Sequence, residues 1–140
     1  MIAYADASLL VPLFVADRFA ARAEAFLQAH RPRLLVSDFG AAEFASAVSK
    51  KLRTGELAQD EAQAAFPAFD VWIAQHGPRL EVIPSDVVVA ESWLRRLDLG
   101  LRTPDALNIA VAQRHGAALA TFDLRMAEAA RALGLELAPV

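Results

Sequence analysis

Short, unbroken apolar runs punctuate this chain, and each gives way to a longer stretch with helical periodicity. The runs are Ile2–Ala5, Arg33–Ser37, Leu80–Ile83, Ala117–Thr121 and Leu135–Ala138. They lack the polar alternation of a strand with one wet face, so both faces are expected to be covered. Between them, Ser8–Val15, Phe19–His30, Phe39–Thr54, Gln59–His76, Asp86–Leu99 and Pro104–His115 read as helices, and a last helix runs to Leu133. In the third, Phe44, Val48 and Leu52 recur at helical spacing. Gly55, Gly100 and Gly134 are expected helix stops, Thr103 an N-cap with Pro104 in the first turn, and Pro67 a kink or break. Strands separated by helices predict an α/β fold, a mostly parallel sheet with helices on both faces. In such sheets ligands collect beyond the carboxyl ends of the strands.

Composition narrows what can happen there. Residues 1–140 have the length of a single domain that can fold on one hydrophobic core. There is no Cys, which excludes disulfides, thiolate metal sites and a cysteine nucleophile. His30, His76 and His115 are scattered. The 56% hydrophobic content excludes disorder, although 31 of the residues are alanine, so much of it reflects helix propensity. The net charge of −3 argues against a general electrostatic grip on nucleic acid, but not against a nuclease with local arginines. The opening residues lack a basic n-region and no apolar run is long enough to span a membrane, so the expected compartment is the cytoplasm.

Four acids stand at revealing positions. Asp6 follows the first strand and Asp123 the fourth; taken alone, each reads as a helix N-cap. Asp105 lies in the first turn of the helix opened by Thr103-Pro104, where the helix dipole favours an acid. Glu43 lies deeper in its helix, among Ala41, Ala42, Phe44 and Ala45, and its plain alternative is a solvent-facing position. If the strands are parallel, these carboxylates can meet at one edge. Two like charges 4 Å apart repel by about 4 kcal/mol at an effective dielectric near 20. A convergent set must therefore share protons or bind cations. Oxygen ligands without Cys or His favour Mg²⁺ or Mn²⁺ over Zn²⁺. Such ions can activate water and stabilise a leaving oxygen in phosphodiester cleavage.

Four segments carry a resemblance: YADASLL (4–10), SDFGAAEFASAV (37–48), LRTPDALNIAVA (101–112) and LATFDLRMAEAARALGLE (119–136). In that order and over this length, the chain resembles a PIN domain, and within that class a VapC-type toxin of bacterial toxin–antitoxin pairs. The resemblance implies a three-layer α/β/α domain with about five parallel strands in the order 3-2-1-4-5. It implies a metal-dependent endoribonuclease acting on transfer or ribosomal RNA, with Asp6, Glu43, Asp105 and Asp123 as its metal-holding catalytic acids. Asp6, Glu43 and Asp105 would hold one Mg²⁺ or Mn²⁺, with Asp123 completing it or helping to hold a second. Which carboxylate takes the proton stays open between Glu43 and Asp123. Ser8 and Thr121 match hydroxyl positions that would steer Asp6 and Asp123. A VapB-type antitoxin and a homodimer are the partners implied.

Among basic residues, Lys50, Lys51 and Arg53 cluster at one helix end, and Arg95, Arg96 and Arg102 precede Asp105. Each cluster reads more simply as a solvated face; for contact with RNA, Arg102 and Arg125 are the candidates because they lie next to acids in sequence. Asn108 shares a helix face with Asp105 and is expected to bond at the edge of the core. Phe14, Phe26, Phe44, Phe66 and Phe69 are spaced as core residues, while the apolar faces of Ala7–Val15 and Phe39–Val48 are candidate partner surfaces.

The competing reading is a catalytically silent module of the same fold that only binds protein. Other α/β sites fail at the residues they need. A phospho-receiver requires an acidic pair after strand one and a late Lys; here Ala5 and Ala7 flank Asp6, and no Lys follows Lys51. A haloacid-dehalogenase-like phosphatase requires a second Asp where Ser8 stands. A dinucleotide site requires a Gly-rich loop that the six glycines do not form.

Overall fold

The computed structural model describes all 140 residues, Met1–Val140. In chain order the elements are β1 (Ile2–Ala5), α1 (Ala7–Leu10), α2 (Ala20–His30), β2 (Arg33–Leu35), α3 (Asp38–Arg53), α4 (Gln59–Ala74), α5 (Pro84–Leu94), α6 (Thr103–Arg114), β3 (Ala118–Ala120) and α7 (Leu124–Ala132). A single 3₁₀ turn, Val11–Leu13, continues α1. The three strands are parallel in the order β2-β1-β3, with Ala3 paired to Leu34 on one side and to Ala118 on the other. Single parallel bridges, Ser37 to Leu80 and Leu119 to Leu137, extend the sheet by one position at each edge. The expected five-position order is therefore present, but its two outer members are one-residue bridges rather than strands. Pro78 and Pro84 flank the Leu80 segment and Pro139 follows Leu137, and proline cannot donate to a ladder.

Alternation along β1 feeds both faces of the sheet. Ala3 and Ala5 face a core made by α1 to α4, with Leu9, Phe26, Phe44, Val48 and Phe69 buried in it. Tyr4 points the other way, into a second core with Ile109, Val111, Leu119, Met126 and Ala130 from α6, β3 and α7. That is the three-layer arrangement. Phe44 stacks on Phe69 at 4.3 Å, and Phe14 meets both edge-on at 5.5 Å. Each such buried ring stabilises the fold by roughly 1.5–3 kcal/mol. Phe66 departs from the expected core set: it is 37% exposed at the rim.

α3 shows how sequence sets one element. Ser37 caps it, accepting from Gly40 N at 2.9 Å. Lys50, Lys51 and Arg53 sit in its last turn, where cations complement the helix dipole. Ala41, Phe44 and Val48 point inward. Gly40 is needed for close approach: a Cβ there would stand 3.3 Å from Ser37 Oγ and 3.6 Å from Tyr4 Oη.

Several boundaries differ from the sequence expectation. α4 runs through Pro67 without splitting, because Pro67 is exposed and the carbonyl it strands can face water. α5 stops at Leu94, well before Gly100; Leu97 takes a left-handed φ of 64° and ends any continuation. The cap of α6 is Arg102, not Thr103, and Asp105 Oδ2 accepts from Arg102 N at 3.1 Å. The apolar faces of Ala7–Val15 and Phe39–Val48 are not open to a partner. Leu9, Leu10, Val11, Phe44 and Val48 are all buried in this chain's own core. No helix is long and apolar enough to cross a membrane.

Candidate active site

Parallel strands place their carboxyl ends on one side, and the chain turns into a helix at each. Asp6 leaves β1 and caps α1, accepting from Leu9 N at 3.2 Å. Asp123 follows β3 and caps α7, accepting from Met126 N at 3.1 Å. Asp105 stands in the first turn of α6 and Glu43 one turn further into α3. All four line one cavity of about 270 Å³, together with Ser8, Arg102 and Asn108. Asp6 and Asp123 therefore cap helices and line the cavity at once.

Asp6 is only 4% exposed. Burial pushes its carboxyl up to about 6, although Ser8, Thr121 and the Leu9 and Ser8 backbone amides donate to it. Ser8 Oγ donates to Oδ1 at 2.7 Å and Thr121 Oγ1 to Oδ2 at 2.9 Å. The same hydroxyls accept from the β3–α7 turn: Phe122 N donates to Ser8 Oγ at 2.8 Å and Asp123 N to Thr121 Oγ1 at 3.0 Å. Asp6 is thus tied through two hydroxyl groups to the turn that presents Asp123.

Glu43 is half-buried, and burial raises its carboxyl above the ordinary range. The Asn108 hydrogen bond opposes that rise, nearby Asp105 adds to it and Arg102 offsets part of it. Asn108 Nδ2 donates to Glu43 Oε2 at 2.7 Å and to Pro104 O at 3.1 Å. Its amide orientation is fixed from below, because Tyr4 Oη donates to Asn108 Oδ1 at 2.7 Å and pairs with Ser37 Oγ at 2.6 Å. Burial holds the Tyr4 phenol well above its usual range, so it remains a proton donor. The chain Ser37–Tyr4–Asn108–Glu43 anchors the carboxylate in the core. The expected core-edge role of Asn108 is met, and contact with Glu43 is added. Tyr4 and Ser37 were not singled out in the sequence; the signal was a phenol inside an otherwise apolar strand.

Arg102 lies inside the acidic cavity. Its Nε reaches Asp105 Oδ2 at 3.3 Å and a terminal nitrogen stands 3.9 Å from Asp123 Oδ2. No three acids meet in a ready-made coordination cage in this arrangement. The guanidinium supplies a cation between Asp105 and Asp123, and the hydroxyls occupy Asp6. The donor set is nonetheless what a hard divalent ion takes: carboxylate oxygens from four chain segments, with no nitrogen or sulfur ligand. Arg125 lines an adjoining cleft instead. Among the other clustered basic residues, Lys51 pairs with Asp17 at 3.0 Å, Arg95 with Glu91 at 2.6 Å and Arg96 with Asp98 at 2.8 Å.

The family model described as PIN domain matches residues 3–132. Among solved structures, the chain is similar to VapC20 of Mycobacterium tuberculosis, described as a sarcin–ricin loop cleaving toxin. The two share 20% identity and a TM-score of 0.71 over 95% of each chain. It is also similar to PAE2754 of Pyrobaculum aerophilum, at 23% identity and a TM-score of 0.61, over 91% of this chain and 79% of that one. No curated protein matches it significantly.

Proposed function

The chain belongs to the PIN-domain family, and from that premise we propose that it is a metal-dependent endoribonuclease, the toxin of a VapBC-type pair acting on structured RNA. The observation that carries this reading is the shared cavity: Asp6, Glu43, Asp105 and Asp123 line it from four separate segments. The likeness to a toxin named for cleaving the sarcin–ricin loop supports structured RNA as the substrate class; transfer or ribosomal RNA as the target and the cytoplasm as the place of action are proposed with it. A VapB-type antitoxin and a second copy of the chain are the partners proposed with it.

In this reading Asp6, Glu43 and Asp105 would hold Mg²⁺ or Mn²⁺, with Asp123 completing the set. Such an ion would supply a Lewis acid and an activated water at the scissile phosphate. Ser8 and Thr121 fix the Asp6 carboxylate, and Asn108 fixes that of Glu43. Glu43, raised by burial, is suited to take a proton. Arg102, with a side chain 62% exposed, is free to leave Asp105 and Asp123 for the substrate's phosphate. Attack by water leaves a 5′-phosphate and a 3′-hydroxyl.

The test is single-turnover RNA cleavage with and without EDTA, for the wild type and Asp105→Asn. Cleavage should need the divalent ion and should fall more than about 100-fold in the variant at matched folding. EDTA-resistant cleavage, or a variant near the wild-type rate, removes the metal role. A folded protein that binds its partner but never cuts RNA supports the silent-module alternative.

A second outcome follows from the hydroxyl tie. Thr121→Val removes a donor that lowers the Asp6 pKa, so that pKa should climb further above 6. In the metal-free protein the Asp6 titration, followed by NMR, should move up by about one pH unit, taking the bond as roughly 1.5 kcal/mol. An unmoved titration would mean that Thr121 acts on geometry alone.

A further inference from the structure

A second cavity, about 590 Å³, opens beside the acids and meets them at Asp123. Arg18, Arg22, Arg125 and Arg131 line it, with Phe19 and Phe122 between them. Asp123 is the only Asp or Glu in its wall. None of these four arginines pairs with an Asp or Glu side chain, whereas Arg79, Arg95, Arg96, Arg102 and Arg114 all do. In a chain of net charge −3, uncompensated positive charge is thus gathered next to the acidic cavity.

Two of the arginines are held in place. Phe19 and Phe122 stack at 4.5 Å with their planes 10° apart. The Arg18 guanidinium lies 4.6 Å from the Phe19 centroid and that of Arg22 lies 5.0 Å from the Phe122 centroid. Arg22 also donates to the Val140 carbonyl at 2.9 Å. Guanidinium groups packed on rings lose less freedom on meeting an anion than free side chains do, and their planes remain open for bases to stack on.

We propose that this cleft is a binding site for the RNA strand next to the scissile bond, with its phosphates against Arg18, Arg22, Arg125 and Arg131. The proposal rests on the nuclease reading for its substrate and goes beyond it in naming where the strand runs. Continuity through Asp123 favours RNA over an acidic protein segment, since a polyanion leaving the catalytic acids enters the arginine cleft directly. The cleft offers phosphate contacts and ring-backed guanidinium planes, so it grips the backbone without reading sequence.

The experiment measures binding of a short fluorescein-labelled single-stranded RNA by anisotropy, in EDTA, across a salt series. It compares the wild type, Arg125→Gln/Arg131→Gln, Arg18→Gln/Arg22→Gln and Arg33→Gln. The side chains of Arg125 and Arg131 make no hydrogen bond or ion pair within the chain, so their variant tests the cleft without disturbing such a bond; thermal melting verifies folding. Each double variant should bind at least about fivefold more weakly at low salt, and its log–log salt slope should shrink by about 1.4. Arg33, at the opposite end of the sheet in the β2 pairing with Ile2, should leave the slope unchanged. Unaltered slopes in both double variants overturn the proposal. So does loss of polyglutamate binding with RNA binding intact, which would assign the cleft to an acidic protein. Because binding is read without metal, arginine-dependent RNA binding in a protein that never cuts sinks the nuclease reading and leaves the cleft standing.

Discussion

Asp6→Asn is expected to abolish RNA cleavage and, in the metal-free protein, to raise stability at neutral pH. The carboxyl titrates near 6 in the folded chain against 3.8 when exposed, chiefly because it is buried. A shift of that size corresponds to about 3 kcal/mol between the two protonation states. A raised acid favours the fold fully below 3.8, and that contribution is lost as pH rises through 6. At pH 7.5 the wild type therefore bears the whole cost of an ionised buried carboxylate. Asparagine has no charge to bury and can still accept from Leu9 N, although Thr121 must then turn its hydroxyl from donor to acceptor. The net gain should be about 1–3 kcal/mol at pH 7.5 and close to nothing at pH 3.5. Urea titrations in EDTA at the two pH values measure it. A destabilised variant, or a gain independent of pH, contradicts the burial account. Added Mg²⁺ should stabilise the wild type and not the variant.

Arg114→Met should have the opposite effect, and a larger one. Asp86, at 2% exposure, accepts from Arg114 Nε at 2.8 Å, from an Arg114 terminal nitrogen at 3.0 Å and from Ile83 N at 3.0 Å. Arg114 also donates to Glu81 O at 2.7 Å, so one side chain of α6 clamps the whole start of α5. Burial alone would raise the Asp86 carboxyl, but the Arg114 and Ile83 hydrogen bonds outweigh it and hold the carboxyl below the ordinary range. Its stabilising contribution is present above that range and lost as pH falls through the lowered value. The two buried aspartates therefore tilt the pH–stability curve in opposite directions. Removing Arg114 leaves a buried charge unpaired, at a cost of about 3–5 kcal/mol. The double variant Asp86→Leu/Arg114→Met should recover most of the loss, because it removes the stranded charge as well. Chemical denaturation of both checks this. Equal losses in the single and double variants would show that packing of the Arg114 stem, and not its charge, is what matters.

The four acids were legible in the sequence because parallel topology forces strand ends to one side. Once β1, α3, α6 and β3 are placed, Asp6, Glu43, Asp105 and Asp123 have little choice of location. Their immediate supports were less legible. The Tyr4–Ser37–Asn108 chain joins residues 104 positions apart, and each residue alone passes for ordinary core or cap chemistry. Among the arginines, proximity in sequence picked out Arg102 and Arg125, which line the acidic cavity and the cleft beside it, but gave no sign of Arg18 and Arg22. Arg95 and Arg96, read as a solvated face, are spent on Glu91 and Asp98, while Arg18 comes from the turn before α2 and Arg22 from its first turn. The Asp86–Arg114 pair was invisible because its members lie 28 residues apart on different helices. Helix ends slipped where tertiary context decided them, as at Leu97, whose left-handed backbone no glycine signalled.

The one-residue bridges at the sheet's two margins constrain how molecules of this protein can meet. Leu80 and Leu137 each close a flank of the sheet, and the neighbouring prolines offer no amide hydrogen to a strand arriving from outside. Sheet-to-sheet polymerisation, the usual hazard of an open edge, has almost no template here. Self-association of the folded chain is therefore left to its helices and loops, with the central ladder intact as copies join.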